Sequence, residues 1–513
     1  MKSLELAHFV LQNLVNQGVR EFCLCAGARN SPLVLTLEKS KELKLFHFFD
    51  ERSASFFALG RISRTHQPVA VVTTSGTAVS EMLSACVEAN YSSLPLVLLT
   101  ADRPRSYRKT GAPQTIEQVG IFGTYTDTCL DIEATDEPLD FSLWSRQRPL
   151  HVNVCFDEPL YGGVPQEIGM VAFEAKFQPS IEAPSTQRTL KNPLVIAGPL
   201  APDWVGPVTE FLVQLDAPIY AETLSQLRGE SRLQHLLLKG GEKSVEKAFQ
   251  LGKAQSILRI GGVPTLRFWR ELEGKYSQIP VAAVAANDYR GLSRASLHLI
   301  GHQSLRRFKS EKSAGVLDEM RASDQELRSK IQSLIEKYPL AEPSWMFHLN
   351  QKVQNQNLYL GNSLPIREWD LVPSVMTKYA SVFGHRGANG IDGQISSFFG
   401  FSDSSQENWC VIGDLTALYD LNALWISGQL ESAKHRLVVI NNGGGMIFKN
   451  IQKSEIFLNR HQLQFQKWAE MFSWSYLKIE KPEHLKSLPD SVILEVQPDE
   501  KQSELWWSDY QKL

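Results

Sequence analysis

Residues 408–448, NWCVIGDLTALYDLNALWISGQLESAKHRLVVINNGGGMIF, constrain the fold more than any other stretch of the chain. The apolar run Cys410-Val411-Ile412 stops at Gly413-Asp414. Leu418, Leu421, Leu424, Trp425 and Leu430 follow at helical spacing and predict one inward helix face. A second apolar run, Leu437-Val438-Val439-Ile440, stops at Asn441-Asn442-Gly443-Gly444-Gly445. Strand, helix and parallel strand in that order put both strand C-termini on one sheet edge. Open α/β sheets hold their ligands at that edge. The Asp414 carboxylate, the Asn442 amide oxygen and glycines that bare their carbonyls suit Mg²⁺ better than a soft metal. Magnesium held so sparsely takes its remaining ligands from water and a phosphate. Each turn alone reads equally well as an ordinary cap on a buried strand; together they carry more weight.

The chain opens with the same grammar. Leu6, Phe9, Val10 and Leu14 give one helical face, and Glu21-Phe22-Cys23-Leu24-Cys25 then runs into Gly27-Ala28-Arg29-Asn30-Ser31-Pro32. Residues 45–49 run into Asp50-Glu51-Arg52-Ser53 and a helix over 54–62. Residues 69–72 lead to Thr73-Thr74-Ser75-Gly76-Thr77-Ala78, and residues 94–100 to Ala101-Asp102-Arg103-Pro104. Four βα units in succession imply a mostly parallel, helix-flanked sheet. The turn at Thr74–Thr77 would suit an anion through free backbone N–H groups, or is a plain N-cap. Glu51 ends an aromatic-rich strand. Desolvated there, a carboxylate suits proton transfer; solvated, it is a helix-terminal acid favoured by the dipole. Residues 149–156 form a last strand, and Gly162-Gly163 with residues 179–184 (PSIEAP) marks a linker.

Residues 192–302 repeat the alternation with fewer polar clusters, in strands over 193–196, 218–220, 256–260, 281–284 and 297–300. Gly241-Glu242-Lys243-Ser244 lacks the spacing of a phosphate loop and is rejected as one. Arg267, after Gly261-Gly262, stands either at a site edge or on the surface. Residues 303–341 are a charged helical connector. Beyond it, Leu358-Tyr359-Leu360 leads into Gly361-Asn362-Ser363-Leu364-Pro365-Ile366-Arg367, and Val382-Phe383 into the turn 384–393, GHRGANGIDG. Residues 491–496 close the last sheet. The expected architecture is α/β with three domains, at 1–178, 187–335 and 343–513, which suits a 513-residue chain.

A net charge of −3 argues against nucleic acid or another polyanion as the main partner. No run approaches the roughly 18 apolar residues of a membrane span, and the first 15 residues read as an amphipathic helix, not a signal peptide. Six cysteines without a CxxC pair look like buried thiols of a reducing compartment. A cytoplasmic protein without a membrane or nucleic-acid partner is expected.

Gly413-Asp414 followed by Asn441-Asn442 resembles the diphosphate-binding signature of thiamine-diphosphate enzymes. The three-domain order also looks like theirs: pyrimidine-binding, central, diphosphate-binding. Within them, FDERS at 49–53, TSGTAVSE at 74–81, LTADRP at 99–104, GAPQTIEQ at 111–118, GNSLPIR at 361–367, HRGANGIDG at 385–393 and GDLTALYDLNALW at 413–425 resemble one family. It is the 2-succinyl-5-enolpyruvyl-6-hydroxy-3-cyclohexene-1-carboxylate synthases of menaquinone biosynthesis, which are transferases. The resemblance implies that 2-oxoglutarate is decarboxylated on thiamine diphosphate and that the succinyl carbanion equivalent adds to isochorismate. It implies Asp414, Asn442 and the Gly444 carbonyl as ligands of Mg²⁺ (with Mn²⁺ able to substitute), the NNGGG run leaving Asn441 as the other register. It implies Glu51 as the catalytic carboxylate on the aminopyrimidine ring, Ile391 as the wedge that bends the cofactor, and Gly413 beside it. For two dicarboxylate substrates it implies Arg29, Arg103, Arg367 and Arg386, with Arg267, Gln114, Ser363, Ile447 and Phe448 completing the pocket. Ala28 stands where the family often carries serine, so a hydroxyl contact is missing or comes from Asn30 or Ser31; Leu266 stands where a lysine can precede the arginine. The superfamily completes each site across a subunit interface, which implies a homodimer or a dimer of dimers. The competing readings are an acetolactate-synthase-like carboligase acting on pyruvate and a catalytically dead homologue. Five arginines disfavour a monocarboxylate, and retention of Glu51, Asp414 and Asn442 disfavours a dead protein.

Overall fold

The computed structural model describes residues 3–160, 163–173, 187–372, 378–431, 433–449 and 454–513. Gly162 and the linker read at 179–184 lie outside the described residues. Every strand pairing within them is parallel.

The first sheet comprises β1 (Glu21–Cys25), β2 (Lys44–Phe48), β3 (Val69–Thr73), β4 (Leu96–Asp102), β5 (Cys129–Ile132) and β6 (Leu150–Cys155), in the order β2-β1-β3-β4-β6-β5. Residues of β3 and β4 are buried throughout, as expected of parallel strands covered on both faces. Next come β7 (Arg188–Lys191), β8 (Pro193–Ala197), β9 (Ile219–Ala221), β10 (Leu237–Leu238), β11 (Ser256–Ile260), β12 (Val281–Ala285), β13 (Leu297–Ile300) and β14 (Phe308–Glu311). Strands β8 to β13 form a second sheet in the order β10-β9-β8-β11-β12-β13, while β7 and β14 pair by themselves. The third sheet contains β15 (Asn357–Leu360), β16 (Ser381–Phe383), β17 (Glu407–Gly413), β18 (Lys434–Ile440), β19 (Ser475–Ile479) and β20 (Ser491–Val496). Its order, β16-β15-β17-β18-β20-β19, repeats that of the first sheet. In both, the chain leaves the first strand to one side and returns on the other, opening a crevice at the strand C-termini. The α/β class read from the sequence is the observed one.

Packing divides the chain into two compact units. One is Met1–Phe177 with Gly387–Ser404 and Thr416–Ala433; the other is Gln178–Arg386 with Ser405–Leu415 and Lys434–Leu513. In the first unit the Gln394–Phe401 helix crosses the Glu51–Thr65 helix at two glycines. A Cβ on Gly60 would stand 2.0 Å from the Ser397 carbonyl oxygen, and one on Gly400 2.1 Å from that of Phe57. In the second unit, apolar clusters lie under the second sheet, under the third, and where the Val316–Lys337 and Glu500–Gln511 helices meet.

The stretch after β17 departs from its sequence reading. An α-helix over Asp414–Tyr419 gives way to a 3₁₀ segment over Leu421–Gln429. Ala423, Leu424 and Ile426 point inward, whereas Leu421 and Trp425 are exposed, so the single inward face does not form. The break falls at buried Asp420, whose carboxylate accepts from the Ser396 N–H at 2.8 Å, and the tighter 3₁₀ pitch then changes which residues turn in. Among the described residues all six cysteines are free, and no helix is long and apolar enough to cross a membrane.

Candidate active site

In the first unit β1 and β2 end in register, Cys25 opposite Phe48, so the turns after them emerge side by side. Glu51 is the first residue of its helix. Asp50 caps that helix by accepting from the Ser53 N–H at 3.1 Å. The Thr73 hydroxyl, at the end of β3, donates to Glu51 Oε1 at 3.3 Å. Burial raises the Glu51 carboxyl above its ordinary value; its backbone and Thr73 hydrogen bonds oppose this, while the charges of Asp50 and Glu81 add to it. Glu51 is half-buried, and its raised carboxyl leans toward the partly desolvated environment in which a carboxylate suits proton transfer.

The other candidate residues of that unit have partners of their own. Arg29 is buried, donates to the Phe156 carbonyl at 3.0 Å and pairs with Glu158 at 3.4 Å. Asn30 is committed to its own turn, accepting from the Gly27 N–H at 2.8 Å and donating to the Cys25 carbonyl at 2.9 Å. Ser31 donates to the Ala28 carbonyl at 2.8 Å and keeps its acceptor capacity. Arg103 donates through Nε to the Pro113 carbonyl at 3.0 Å and lies over the Tyr107 ring. Gln114 is exposed, with its Cα 3.5 Å from where a Gly76 Cβ would stand, so it rests on the Thr74–Thr77 turn. The Gly76 N–H donates to Gln118 Oε1 at 3.1 Å, and only one helical turn follows; that N–H is not free for an anion. Ile391 is half-buried in the bend before the Gln394–Phe401 helix.

In the second unit β17 and β18 pair with Gly413 opposite Ile440, so Asp414 and Asn441-Asn442 leave neighbouring strand ends. Asp414 Oδ2 accepts from the N–H groups of Gly443 and Gly444 at 2.8 and 2.9 Å, and His461 Nε2 lies 3.2 Å from it. Burial raises the Asp414 carboxyl, against the pull of the Gly444 N–H and of His461. Gly444 sits at φ +138°, where a Cβ would meet the Leu458 carbonyl oxygen at 2.3 Å, so no side chain fits. Its own carbonyl accepts from the Met446 N–H at 2.8 Å and retains a second lone pair. The two asparagines differ sharply. Asn441 donates to Glu495 at 2.7 Å and to the Leu463 carbonyl at 2.9 Å, as scaffolding. Asn442 donates to Glu342, but its Oδ1 is buried with no hydrogen-bond partner among the described residues. Among them there is no group of three His, Cys, Asp or Glu side chains that could hold a metal ion. Asp414, Asn442 Oδ1 and the Gly444 carbonyl make a hard oxygen set that fits Mg²⁺, and an orphaned buried oxygen is what such an ion satisfies.

Two candidate arginines of this unit, Arg367 and Arg386, follow β15 and β16, which pair with Tyr359 opposite Phe383. Arg367 donates to the Ser363 carbonyl at 2.5 Å, and Arg386 to Asn362 Oδ1 at 2.8 Å. Burial lowers the Arg367 pKa, and the charge of Arg270 lowers it further. Glu222 stands near Arg386 with its carboxylate accepting from the backbone and hydroxyl of Thr265. Arg267 stands apart: its side chain is 83% exposed and pairs with Glu271 at 3.7 Å. Ile447 and Phe448 occupy the 3₁₀ turn after Gly445, Ile447 half-buried and Phe448 exposed. Sequence reasoning missed Glu342, His461, Glu222 and Gln118. Of these only Glu342, beside Pro343 at a helix start, carries a local signal.

The family profile described as "Thiamine pyrophosphate enzyme, N-terminal TPP binding domain" matches residues 4–121. The whole chain is 46% identical to the 2-succinyl-5-enolpyruvyl-6-hydroxy-3-cyclohexene-1-carboxylate synthase of Bdellovibrio bacteriovorus, over 99% of that protein. It is 36% identical to the synthase of the same name from Akkermansia muciniphila, over 95% of each chain. Against that of Chloroflexus aurantiacus it is 31% identical over 92% of this chain and 89% of the relative. Near-complete coverage at this identity, on parallel helix-flanked sheets, places the chain in the 2-succinyl-5-enolpyruvyl-6-hydroxy-3-cyclohexene-1-carboxylate synthase family of thiamine-diphosphate enzymes.

Proposed function

We propose that the protein decarboxylates 2-oxoglutarate and joins the remaining succinyl unit to isochorismate, giving 2-succinyl-5-enolpyruvyl-6-hydroxy-3-cyclohexene-1-carboxylate and CO₂ for menaquinone biosynthesis. The observation that carries the reading is the orphaned Asn442 Oδ1, on the strand end next to that of Asp414, in a chain of this family. Asp414, Asn442 and the Gly444 carbonyl would hold Mg²⁺, or Mn²⁺ in its place, with Gly413 leaving room for the diphosphate. When bound, thiamine diphosphate supplies the electron sink that 2-oxoacid decarboxylation needs. Glu51 would exchange a proton with the cofactor's aminopyrimidine ring, and burial raises the carboxyl's affinity for that proton. Ile391 would be the residue that supports the cofactor's bend. Arg29, Arg103, Arg367 and Arg386 would bind substrate carboxylates, with Gln114, Ser363, Ile447, Phe448 and the exposed Arg267 as further substrate contacts. The three sheets correspond to pyrimidine-binding, central and diphosphate-binding domains at 1–178, 187–335 and 343–513.

The working species in this reading is a cytoplasmic homodimer or dimer of dimers. Support comes from the free thiols and from an apolar pair on the first unit, Phe49 and Trp425, which are 62% and 50% exposed and meet edge to face at 5.2 Å. The test is to mix purified protein with Mg²⁺, thiamine diphosphate, 2-oxoglutarate and isochorismate. Loss of isochorismate absorbance that requires 2-oxoglutarate is expected. Carboligation of pyruvate without turnover of these substrates would overturn the reading.

A further inference from the structure

Asn442 can face a cation in two ways, because its amide has an oxygen on one side and an NH₂ on the other. Only one of them binds a metal. The structure shows what decides between them. Glu342 opens the Glu342–Lys352 helix and is buried, with its own N–H donated to Ser503 Oγ at 3.0 Å. Both of its carboxylate oxygens converge on Asn442 Nδ2, at 2.9 and 3.2 Å. A carboxylate oxygen that faces an NH₂ group accepts from it. Turning the amide over would press Oδ1 against those oxygens and forfeit both bonds. With Nδ2 so held, the planar amide must aim Oδ1 the other way, and that oxygen is the one with no partner among the described residues. The second asparagine of the pair, Asn441, has its Nδ2 on Glu495 and the Leu463 carbonyl.

We propose that Glu342 is a positioning residue that fixes the Asn442 amide with its oxygen toward the divalent cation. The proposal rests on the reading of Asp414 and Asn442 as the metal site. Glu342 acts through the orientation of a ligand, as outer-shell partners of metal sites do. The role needs an acceptor atom at the end of the side chain, and it does not need the negative charge.

That distinction sets the experiment. The Mg²⁺ concentration needed for thiamine diphosphate to bind is read from intrinsic tryptophan fluorescence, without substrate. It is measured for the unsubstituted protein, Glu342→Gln, Glu342→Met and Asp414→Ala, beside the melting temperature of each metal-free protein. Glu342→Met is expected to raise the Mg²⁺ requirement about 10–100-fold, the range for lost outer-shell partners. Glu342→Gln, which keeps an acceptor oxygen at that position, is expected to stay close to the unsubstituted protein, and Asp414→Ala to lose Mg²⁺-dependent binding. If Glu342→Met does not fold, Glu342→Asp, which withdraws the acceptor by one methylene, must show the loss instead. A lower metal-free melting temperature with an unchanged Mg²⁺ requirement would make Glu342 merely structural and overturn the proposal. An equal loss in Glu342→Gln and Glu342→Met would also overturn it, since charge would then be the cause. An unchanged Mg²⁺ requirement in Asp414→Ala would remove the metal site itself, and the proposal with it.

Discussion

Glu222 shows how far a single buried carboxyl can bend the stability of this protein. Burial, with the nearby charge of Asp370 adding, raises it from 4.5 to about 7, against its hydrogen bonds from Thr265 and the charge of Arg386. The folded state therefore holds a proton that the unfolded chain releases near pH 4.5. The stabilisation is complete below pH 4.5 and is lost as pH rises toward 7, by up to about 1.4 kcal/mol per pH unit. Glu222→Gln carries no titrating proton and is expected to flatten that part of the melting-temperature curve between pH 5 and 7.5. An unchanged slope would place the titration elsewhere. Single residues were also where sequence reading was most uneven. Gly413-Asp414 and Asn441-Asn442 announced themselves as breaks in apolar runs. Glu222 and Gln118 did not, because a buried carboxyl or amide is marked by what packs on it, and their partners lie 43 and 42 residues away in the chain; Glu342 had only its place beside a helix-start proline, with its partner 100 residues away.

At the scale of elements, the helix that begins with Glu51 is seated by backbone-to-backbone approach at Gly60 and Gly400. A methyl group on Gly60 has no flexible neighbour to displace, since the atom 2.0 Å away is a main-chain oxygen. Gly60→Ala is expected to cost about 1–3 kcal/mol as the two helices part, measured as a lowered melting temperature and faster proteolysis of residues 394–401. A variant that melts with the unsubstituted protein would contradict that packing. Most strands were legible as apolar runs, because strands of a covered parallel sheet are buried on both faces. The misses were β5, β7, β10, β14 and β19, whose residues are polar, short in run or half-exposed. The segment after Asp414 was misread for another reason. Its leucines fit a 3.6-residue period, but Asp420 committed its carboxylate to Ser396 and the local pitch became 3₁₀.

At the scale of the whole molecule, the sequence revealed three βα-rich regions but not that the first and third sheets share one strand order, which no local pattern encodes. That shared order gives the chain two similar sheet edges, one presenting Glu51 and the other Asp414 with Asn442. The exposed aromatic pair Phe49 and Trp425 is expected to be covered in a dimer. Sedimentation at working concentration should find a dimer or tetramer, and an active monomer would contradict the assembly. The division of labour between the two edges is tested most directly by the turnover number of Glu51→Gln at saturating Mg²⁺, cofactor and substrates. A fall of about two to four orders of magnitude is expected, the usual weight of a positioned proton-transfer group, with an unchanged melting temperature. A rate within about tenfold of the unsubstituted enzyme, below that range, or a protein that no longer folds, would contradict the assignment of Glu51 as the catalytic carboxylate.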